Sequence, residues 1–218
     1  MQWLTDFSDT LQGQMSIAAI AMLIFFAALG IMFRHKKMSV KEITYSAMLL
    51  ALAVALSFIS FSMPQGGSAT PGSMFFIILV GIWFGLPMGL VAGLTFGLLR
   101  LAINPFFFHP IQVMLDYILG YGALGFGALF FRNKNFTKLG FINKYTLAIV
   151  IPILLRLTFS TISGYVFFAE WAPEGWNPLV YSIAYNSWYM LAEMAFILIL
   201  LSFPQFRQAV DHVKSRIN

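Results

Sequence analysis

Seven apolar runs, separated by short polar segments, account for most of the chain. They cover residues 16–33, 43–62, 74–86, 88–103, 111–131, 146–168 and 179–202. A membrane-spanning helix needs roughly 17–25 apolar residues, and most of the runs reach that length. The runs at 74–86 and 88–103 are shorter and meet at Gly85–Pro87. This pattern predicts two short or broken helices, joined there by a tight turn.

Composition places these runs in a lipid bilayer. Hydrophobic residues make up 60% of the 218 residues and charged residues only 10%, against roughly 45–50% and 25% in soluble domains. The mean hydropathy is +0.82. The sequence therefore predicts an all-α, multi-pass integral membrane protein built as one bundle. Because the chain contains no cysteine, a disulfide, a thiolate metal site and a cysteine nucleophile are excluded.

Basic residues orient the bundle. Three clusters follow the first, fifth and seventh runs and hold eleven of the 13 Lys and Arg residues, namely Arg34, Lys36, Lys37, Lys41, Arg132, Lys134, Lys138, Lys144, Arg207, Lys214 and Arg216. If the runs alternate in direction, all of these lie on one side. The positive-inside rule then predicts an extracellular N-terminus and a cytoplasmic C-terminus. The net charge of +5 thus reflects topology, and we expect no nucleic acid as a partner.

The first run is predicted to be an additional helix. Acidic residues precede the run 16–33 and basic residues follow it, which is the reverse of a signal peptide. We expect a retained N-terminal transmembrane helix with a basic linker at 1–41, a six-helix membrane domain at 42–204 and a cytoplasmic tail at 205–218.

Small residues mark two helix faces. One stretch carries glycine at every fourth position, at Gly85, Gly89, Gly93 and Gly97. Another carries alanine in the same way, at Ala47, Ala51 and Ala55. Such faces let helix backbones approach closely. The alanine face is suited either to a contact within the bundle or to docking of another membrane protein.

Few ionisable residues lie within the apolar runs. They are Arg100, Asp116, Arg156 and Glu193, and His109 lies just before the fifth run. Such groups are costly in lipid and usually face a cavity or a partner. Asp116 is therefore either half of an internal ion pair with Arg156 or Arg100, or a carboxylate that faces a cationic ligand near the outer mouth.

Aromatic residues near the last run favour a ligand. Tyr181, Tyr185 and Tyr189 are four residues apart and share one helical face, while Asn186, Tyr189 and Glu193 form a second stripe. Trp and Tyr are also typical of membrane interfaces, which explains most of the neighbouring rings. A ring face attracts a cation by about 0.5–2 kcal/mol. Together with an amide and a carboxylate, these rings suit a flat, positively charged heterocycle.

An uncharged loop separates the second and third runs. Residues 62–74 read SMPQGGSATPGSM and lie on the outer side by the predicted topology, with the loops 104–110 and 169–178. Irregular backbone at membrane depth is tolerated only where protein or a cavity covers it. The loop is either an ordinary turn or a lid over a cavity, with Gly66 and Gly67 as its hinge.

Five motifs together resemble one protein family. They are SMPQGGSATPGSM, GLPMGLVAGLTFGLLR, HPIQVMLDY, SGYVFFAEWAPEGWNPLVYSIAYN and the stripe of Ala47, Ala51 and Ala55. Over about residues 42–203 the chain resembles the thiamine-specific S-components of energy-coupling factor (ECF) transporters. The resemblance implies a six-helix S-component bundle that captures thiamine from outside and requires no cofactor or metal. It also implies docking, through the alanine stripe, to a membrane scaffold subunit that works with two cytoplasmic ATPases.

The resemblance also implies most of the ligand site. Asp116 falls at an acidic position that faces the thiazolium ring, with Tyr117 beside it. Tyr181 and Asn186 fall at positions that contact the pyrimidine. Gly164 falls at a position of close approach.

The remaining implied positions concern ring stacking and the lid. Phe168 falls at an aromatic stacking position, with Trp171 as the nearby alternative. Ser160 stands where a histidine is common in the family. The residues assigned to the lid are Gln65, Gly66, Gly67 and Ser68.

Other functions are compatible with parts of the pattern. Because of Ser160, the ligand is thiamine, pyridoxine or a pyrimidine precursor of thiamine. An intramembrane enzyme would use Asp116, Glu193 and His109 for acid–base chemistry, although the chain has no HExxH or GxSxG motif. A stand-alone channel or secondary transporter would be expected to show inverted repeats, and none is visible. The chain also lacks the GxxxxGK[ST] phosphate loop of an ATPase.

Overall fold

A computed structural model of the chain describes residues 38–63, 67–132 and 144–217, together with the helical residues 23, 27 and 30. The rest of the predicted N-terminal helix lies outside the described residues, as do Gln65 and Gly66 of the predicted lid. Five of the basic residues used for topology lie outside them as well, namely Arg34, Lys36, Lys37, Lys134 and Lys138.

Seven main helices form the described bundle, with the bounds α1 Val40–Phe58, α2 Ser73–Phe84, α3 Leu86–Ile103, α4 from Pro110 to Arg132, α5 Lys144–Phe167, α6 Pro178–Ser202 and α7 Pro204–Ile217. A short 3-10 helix, Ala169–Trp171, lies between α5 and α6. Five of these, α1 and α3 to α6, are long and apolar enough to cross a membrane. The predicted all-α membrane bundle is confirmed. Of the two runs that we expected to form short helices, only the 12-residue α2 is short, because α3 takes in the residues of the predicted turn.

A single residue separates α2 from α3. Gly85 has φ +93°, a left-handed value that favours glycine, and it ends one helix and precedes the other. Pro87 follows in the first turn of α3, where its missing N–H costs no hydrogen bond. The sequence therefore located this break correctly.

The glycine stripe brings α3 against α4. A Cβ on Gly89 would lie 3.0 Å from the Cα of Gly125, and a Cβ on Gly97 would overlap the carbonyl oxygen of Tyr117. The predicted close contact within the bundle is therefore present along α3. The segment of α4 that faces Gly97 is not a regular α-helix, since Met114–Leu119 form a π-helical stretch. Such stretches are rare and are often found at functional sites.

A small hairpin follows α1. Phe61–Ser62 form β1 and pair antiparallel with Ser68–Ala69, which form β2. The second apolar run, expected to extend to residue 62, is therefore helical only as far as Phe58. Its last two residues form β1.

The last helix closes the opposite end of the bundle. Residues 205–217, expected to be a tail, belong to α7, which buries Val210 and Ile217. The hydroxyl of Tyr145 on α5 donates a hydrogen bond to Asp211, and Lys214 Nζ donates to the carbonyl of Ile82 at 3.2 Å. These contacts fix α7 across the ends of α2 and α5.

Candidate functional site

A cavity of about 360 Å³ opens at the end of the bundle away from α7. Small-molecule sites usually enclose roughly 300–1,000 Å³. The cavity is lined by all eight residues that the sequence assigned to a ligand: Asp116, Tyr117, Ser160, Gly164, Phe168, Trp171, Tyr181 and Asn186. Other residues complete the wall: Arg100, Asn104, Phe106, Gln112, Tyr121, Arg156, Ser163, Ser182, Tyr185 and Tyr189.

Asp116 lies in the π-helical stretch of α4 and is held by neutral donors. Its Oδ2 accepts hydrogen bonds from Gln112 Nε2 at 2.8 Å and from Ser163 Oγ at 2.9 Å. Within the described ranges it forms no ion pair with Arg156 or Arg100, the alternative that the sequence left open. A carboxylate has about four acceptor sites, so Asp116 retains capacity for a ligand.

The two arginines of the cavity have other partners. Arg100 Nη1 donates to Ser57 Oγ at 3.2 Å and so ties α3 to α1. The guanidinium of Arg156 lies 3.8 Å from the centroid of the Tyr121 ring. Arg156 is buried, and its Nε has no hydrogen-bond partner in the part of the chain that the structure describes. An acceptor atom on a ligand would supply that missing partner.

Asn186 and Gly164 join α5 to α6 at the wall of the cavity. Asn186 Nδ2 donates to the carbonyl oxygens of Ser160 at 3.2 Å and Ser182 at 2.9 Å, and its Oδ1 accepts from Tyr189 at 2.8 Å. A Cβ on Gly164 would overlap Ser182 Oγ, so glycine permits this approach. The amide hydrogens of Asn186 are therefore already committed, and only its oxygen can accept a further bond.

Aromatic rings form the rim of the cavity. The Phe168 ring lies 5.7 Å from Phe106, 5.4 Å from Trp171 and 5.3 Å from Phe108, measured between ring centroids. The sequence pointed to Phe168 and Trp171 but missed Phe106, which follows α3 in the loop 104–109. The three successive phenylalanines of that loop, at the outer side by the predicted topology, are the sequence signal for this part of the rim.

Some missed residues had a recognisable signal. Gln112 precedes Asp116 by four residues and therefore shares its helical face. Ser163 follows the predicted site residue Ser160 by three positions on α5 and therefore shares its helical face. Arg156 is recognisable from the sequence as an intramembrane charge, and such charges usually face a cavity or a partner.

His109 lies immediately before α4 and forms its N-cap. Its Nδ1 accepts a hydrogen bond from the Ile111 amide at 3.1 Å, and its ring stacks on Phe167 with centroids 4.5 Å apart. Burial lowers the pKa of His109 below its ordinary value. His109 therefore serves as a neutral cap of α4, and it does not line the cavity.

The described part of the predicted lid does not line the cavity. Gly67, with φ +72°, packs against the ring of Tyr189, and Ser68 lies in β2. Tyr189 in turn lines the cavity. The described part of the predicted lid therefore contacts a cavity residue, Tyr189, without lining the cavity itself. Its role as a lid stays a prediction.

The predicted docking stripe lies on the outside of the bundle. Ala47, Ala51 and Ala55 are exposed on α1, next to the exposed apolar side chains of Met48 and Leu52. The predicted alternative, a contact of this alanine stripe within the bundle, does not match this exposure.

Acidic and histidine side chains do not gather in one place. Across the described segments there is no group of three or more that could hold a metal ion. Of the three residues considered for an enzyme, only Asp116 lines the cavity. Glu193 accepts hydrogen bonds at the start of α2, and His109 caps α4.

Comparison with known proteins gives a consistent result. Residues 43–211 match the family model described as thiamine transporter protein. The chain is 38% identical to the thiamine transporter ThiT of Bacillus subtilis (strain 168) over 164 residues, which cover 71% of this chain and 85% of that protein. A solved structure of ThiT from Listeria monocytogenes superposes with a TM-score of 0.61 at 24% identity, over 76% of this chain and 96% of that one. The last comparison supports the fold alone.

Proposed function

The chain belongs to the thiamine transporter protein family, and on that premise we propose that it is the thiamine-binding S-component of an ECF transporter. Its task is to capture thiamine from outside the cell, while partner subunits drive uptake with ATP. The observation that carries this proposal is a cavity in which the Asp116 carboxylate lies among aromatic rings and has no ion pair with any described residue.

The chemistry of the cavity fits both halves of thiamine. The thiazolium ring carries a permanent positive charge, for which Asp116 is the counter-charge and the rings of Phe168 and Trp171 are stacking partners. Each ring face contributes about 0.5–2 kcal/mol toward a cation. Tyr181 and the Oδ1 of Asn186, which can accept a further hydrogen bond, then face the aminopyrimidine. Arg156 is suited to donate to a ring nitrogen or to the hydroxyl of the ligand.

The distribution of charge supports the predicted orientation. Lys41 on α1 donates to the Arg216 carbonyl at 3.1 Å, so these basic residues lie at the α7 end of the bundle. Glu170 and Glu174 lie in the segment between α5 and α6, at the end of these helices where the cavity opens. By the positive-inside rule, we propose that α7 faces the cytoplasm and the cavity faces the outside. The N-terminus would then lie outside if the predicted N-terminal helix crosses the membrane once.

The alanine stripe is the proposed docking surface for the scaffold subunit. Helices associate in lipid through close packing of small residues, and Ala47, Ala51 and Ala55 offer a smooth exposed face for it. Two cytoplasmic ATPases are the further partners that we propose for the assembled transporter.

We propose further that the protein is not an enzyme. The relatives are named as transporters. Glu193 and His109 serve as helix caps, and neither lines the cavity that Asp116 lines. Acid–base catalysis would need two such groups within hydrogen-bond reach of one substrate.

A titration of the purified protein without ATP tests the proposed function. We expect thiamine to quench the tryptophan fluorescence, through Trp171 at the rim, with a micromolar or lower Kd by calorimetry, on the order of −8 kcal/mol. Pyridoxine and the free pyrimidine half of thiamine serve as competitors, because Ser160 left both open as alternative ligands. Binding of one of these without binding of thiamine would contradict the ligand assignment and leave the fold untouched.

A further inference from the structure

The segment that runs from the second hairpin strand to the start of α2 lies along one face of α6. We call residues 67–74 the arm. Gly67 packs so closely on Tyr189 that a Cβ there would lie 2.6 Å from Cδ1 of the ring, and a Cβ on Gly72 would lie 3.7 Å from Cε1 of Phe196. Tyr189 and Phe196 are about two helical turns apart. The arm therefore contacts α6 along this length.

A buried carboxylate holds the middle of the contact. Glu193 on α6 is only 4% exposed. Its Oε2 accepts a hydrogen bond from Thr70 Oγ1 at 2.7 Å, and its Oε1 accepts from the Met74 amide at 2.8 Å and from Ser73 Oγ at 3.2 Å. The Thr70 and Ser73 hydroxyls are also 2.6 Å apart. One side chain thus binds three groups of the arm.

The arm has no local substitute for this carboxylate. Gly72 stands at the N-cap of α2 with φ +90° and offers no side-chain acceptor. The first N–H groups of a helix have no partner within it, and negative charge is favourable beside them. Glu193 therefore provides from α6 the cap that the arm does not provide itself.

We propose that Glu193 is a positioning residue for ligand binding, which acts by holding the arm against the tyrosines of the cavity wall. Tyr189 links the two regions, since it contacts Gly67, donates to Asn186 and lines the cavity. The hydroxyl of Tyr185 lies beside the Gly67 backbone, and Tyr185 is itself one of the cavity residues.

Glu193 is not among the lining residues, so it acts on the ligand through these two tyrosine rings and through its charge interaction with Arg156, which lines the cavity. Thr70 has no such charge, so a substitution there tests the route through the rings alone. The inference rests on the proposed function for the ligand and on these contacts for the arm.

The experiment compares two variants that weaken the same contact from opposite sides. Glu193→Gln removes the charge on α6, and Thr70→Val removes one hydroxyl on the arm while keeping its shape. Glu174→Gln, an exposed carboxylate of the loop 168–177, is the matched control. Hydrogen–deuterium exchange of the ligand-free protein reports on the arm. Stopped-flow tryptophan fluorescence with thiamine reports on ligand exchange.

We expect faster amide exchange in residues 67–74 of both variants, with the cavity helices α4 and α5 unchanged. Thiamine dissociation should accelerate about tenfold while association changes less than about threefold, because a less ordered wall mainly shortens the residence time. A role in stability alone would lower the melting temperature and leave dissociation from the folded protein unchanged. Either that result or unchanged exchange in the arm would overturn the proposal. If the wild type does not bind thiamine at all, the proposed function fails, and the exchange data still decide whether Glu193 holds the arm.

Discussion

The Ser163 hydroxyl on α5 donates a hydrogen bond of 2.9 Å to the Asp116 carboxylate on α4. The bond joins two helices across the cavity and fixes the carboxylate with a neutral donor. Because Gln112 also binds Oδ2, Asp116 is oriented before any ligand enters, and its charge is not cancelled by an ion pair within the described residues. A site prepared in this way loses little conformational freedom when it binds a cation.

Replacing Asp116 by Asn should weaken thiamine binding strongly. The amide keeps an oxygen for Gln112 and Ser163 but removes the counter-charge of the thiazolium. Loss of one partner of a buried charge pair costs about 2–5 kcal/mol, which corresponds to a rise in Kd of roughly thirtyfold or more. Isothermal calorimetry with thiamine measures this change.

The stability of Asp116→Asn without ligand provides the control. A buried charge is costly to maintain, so the melting temperature should not fall. A variant that melts normally and binds thiamine as tightly as the wild type would exclude Asp116 as the counter-charge.

Replacing Gly97 by Ala should disturb the cavity wall, because Gly97 lies at the close contact between α3 and α4. A Cβ at this position would overlap the carbonyl oxygen of Tyr117, which lines the cavity. The overlap forces α3 and α4 apart at an expected cost of about 1–3 kcal/mol. We expect a lower melting temperature and weaker thiamine binding in the same variant.

Gly122→Ala is the matched control on α4. Its Cβ would lie 3.6 Å from Leu94 Cδ2, which is an ordinary contact. This variant should retain both stability and affinity. Equal behaviour of the two variants would show that the close approach at Gly97 does not shape the site.

The sequence predicted those features that depend on local chemistry. Gly85 and Pro87 located the break between α2 and α3, because each has a restricted set of backbone conformations. Spacing of four residues located the close face of α3, since that periodicity defines one side of a helix.

Features that depend on distant contacts were not predictable in this way. The π-helical stretch at Met114–Leu119 lies inside a uniformly apolar run, where no pattern marks a change of helix type. Glu193 finds its partners in the arm, with Met74 119 residues away along the chain. Arg156 packs on Tyr121 from another helix. A single sequence shows that such polar residues need partners, but only the packing of helices decides which ones.

His109 should make stability depend on pH. Its Nδ1 can accept from Ile111 only when unprotonated, and burial lowers the pKa of His109 from its ordinary value of 6.5. The folded protein therefore binds the proton less readily than the unfolded chain. The contribution of His109 is fully present above pH 6.5 and is lost as the pH falls through the lowered pKa.

His109→Asn separates this contribution from that of other groups. Asn retains an oxygen that can cap α4 and does not titrate. Between about pH 7.5 and about pH 5.5 the melting temperature of the wild type should fall more than that of the variant. Parallel curves for the two proteins would contradict a capping role of the neutral imidazole.

Replacing Ala51 by Trp should separate binding from transport. Ala51 is the central residue of the exposed alanine stripe on α1, and an indole there would keep a partner helix from approaching closely. The cavity residues are on α3 to α6 and the segments that connect them, so thiamine affinity of the purified variant should stay unchanged. Uptake of labelled thiamine by cells that contain the partner subunits should be lost.

Leu154→Trp places the same indole on the exposed surface of α5 and should leave both properties intact. Normal uptake by Ala51→Trp would remove the docking role from the stripe, whereas loss of uptake in both variants would point to a general effect of indole on insertion in the membrane.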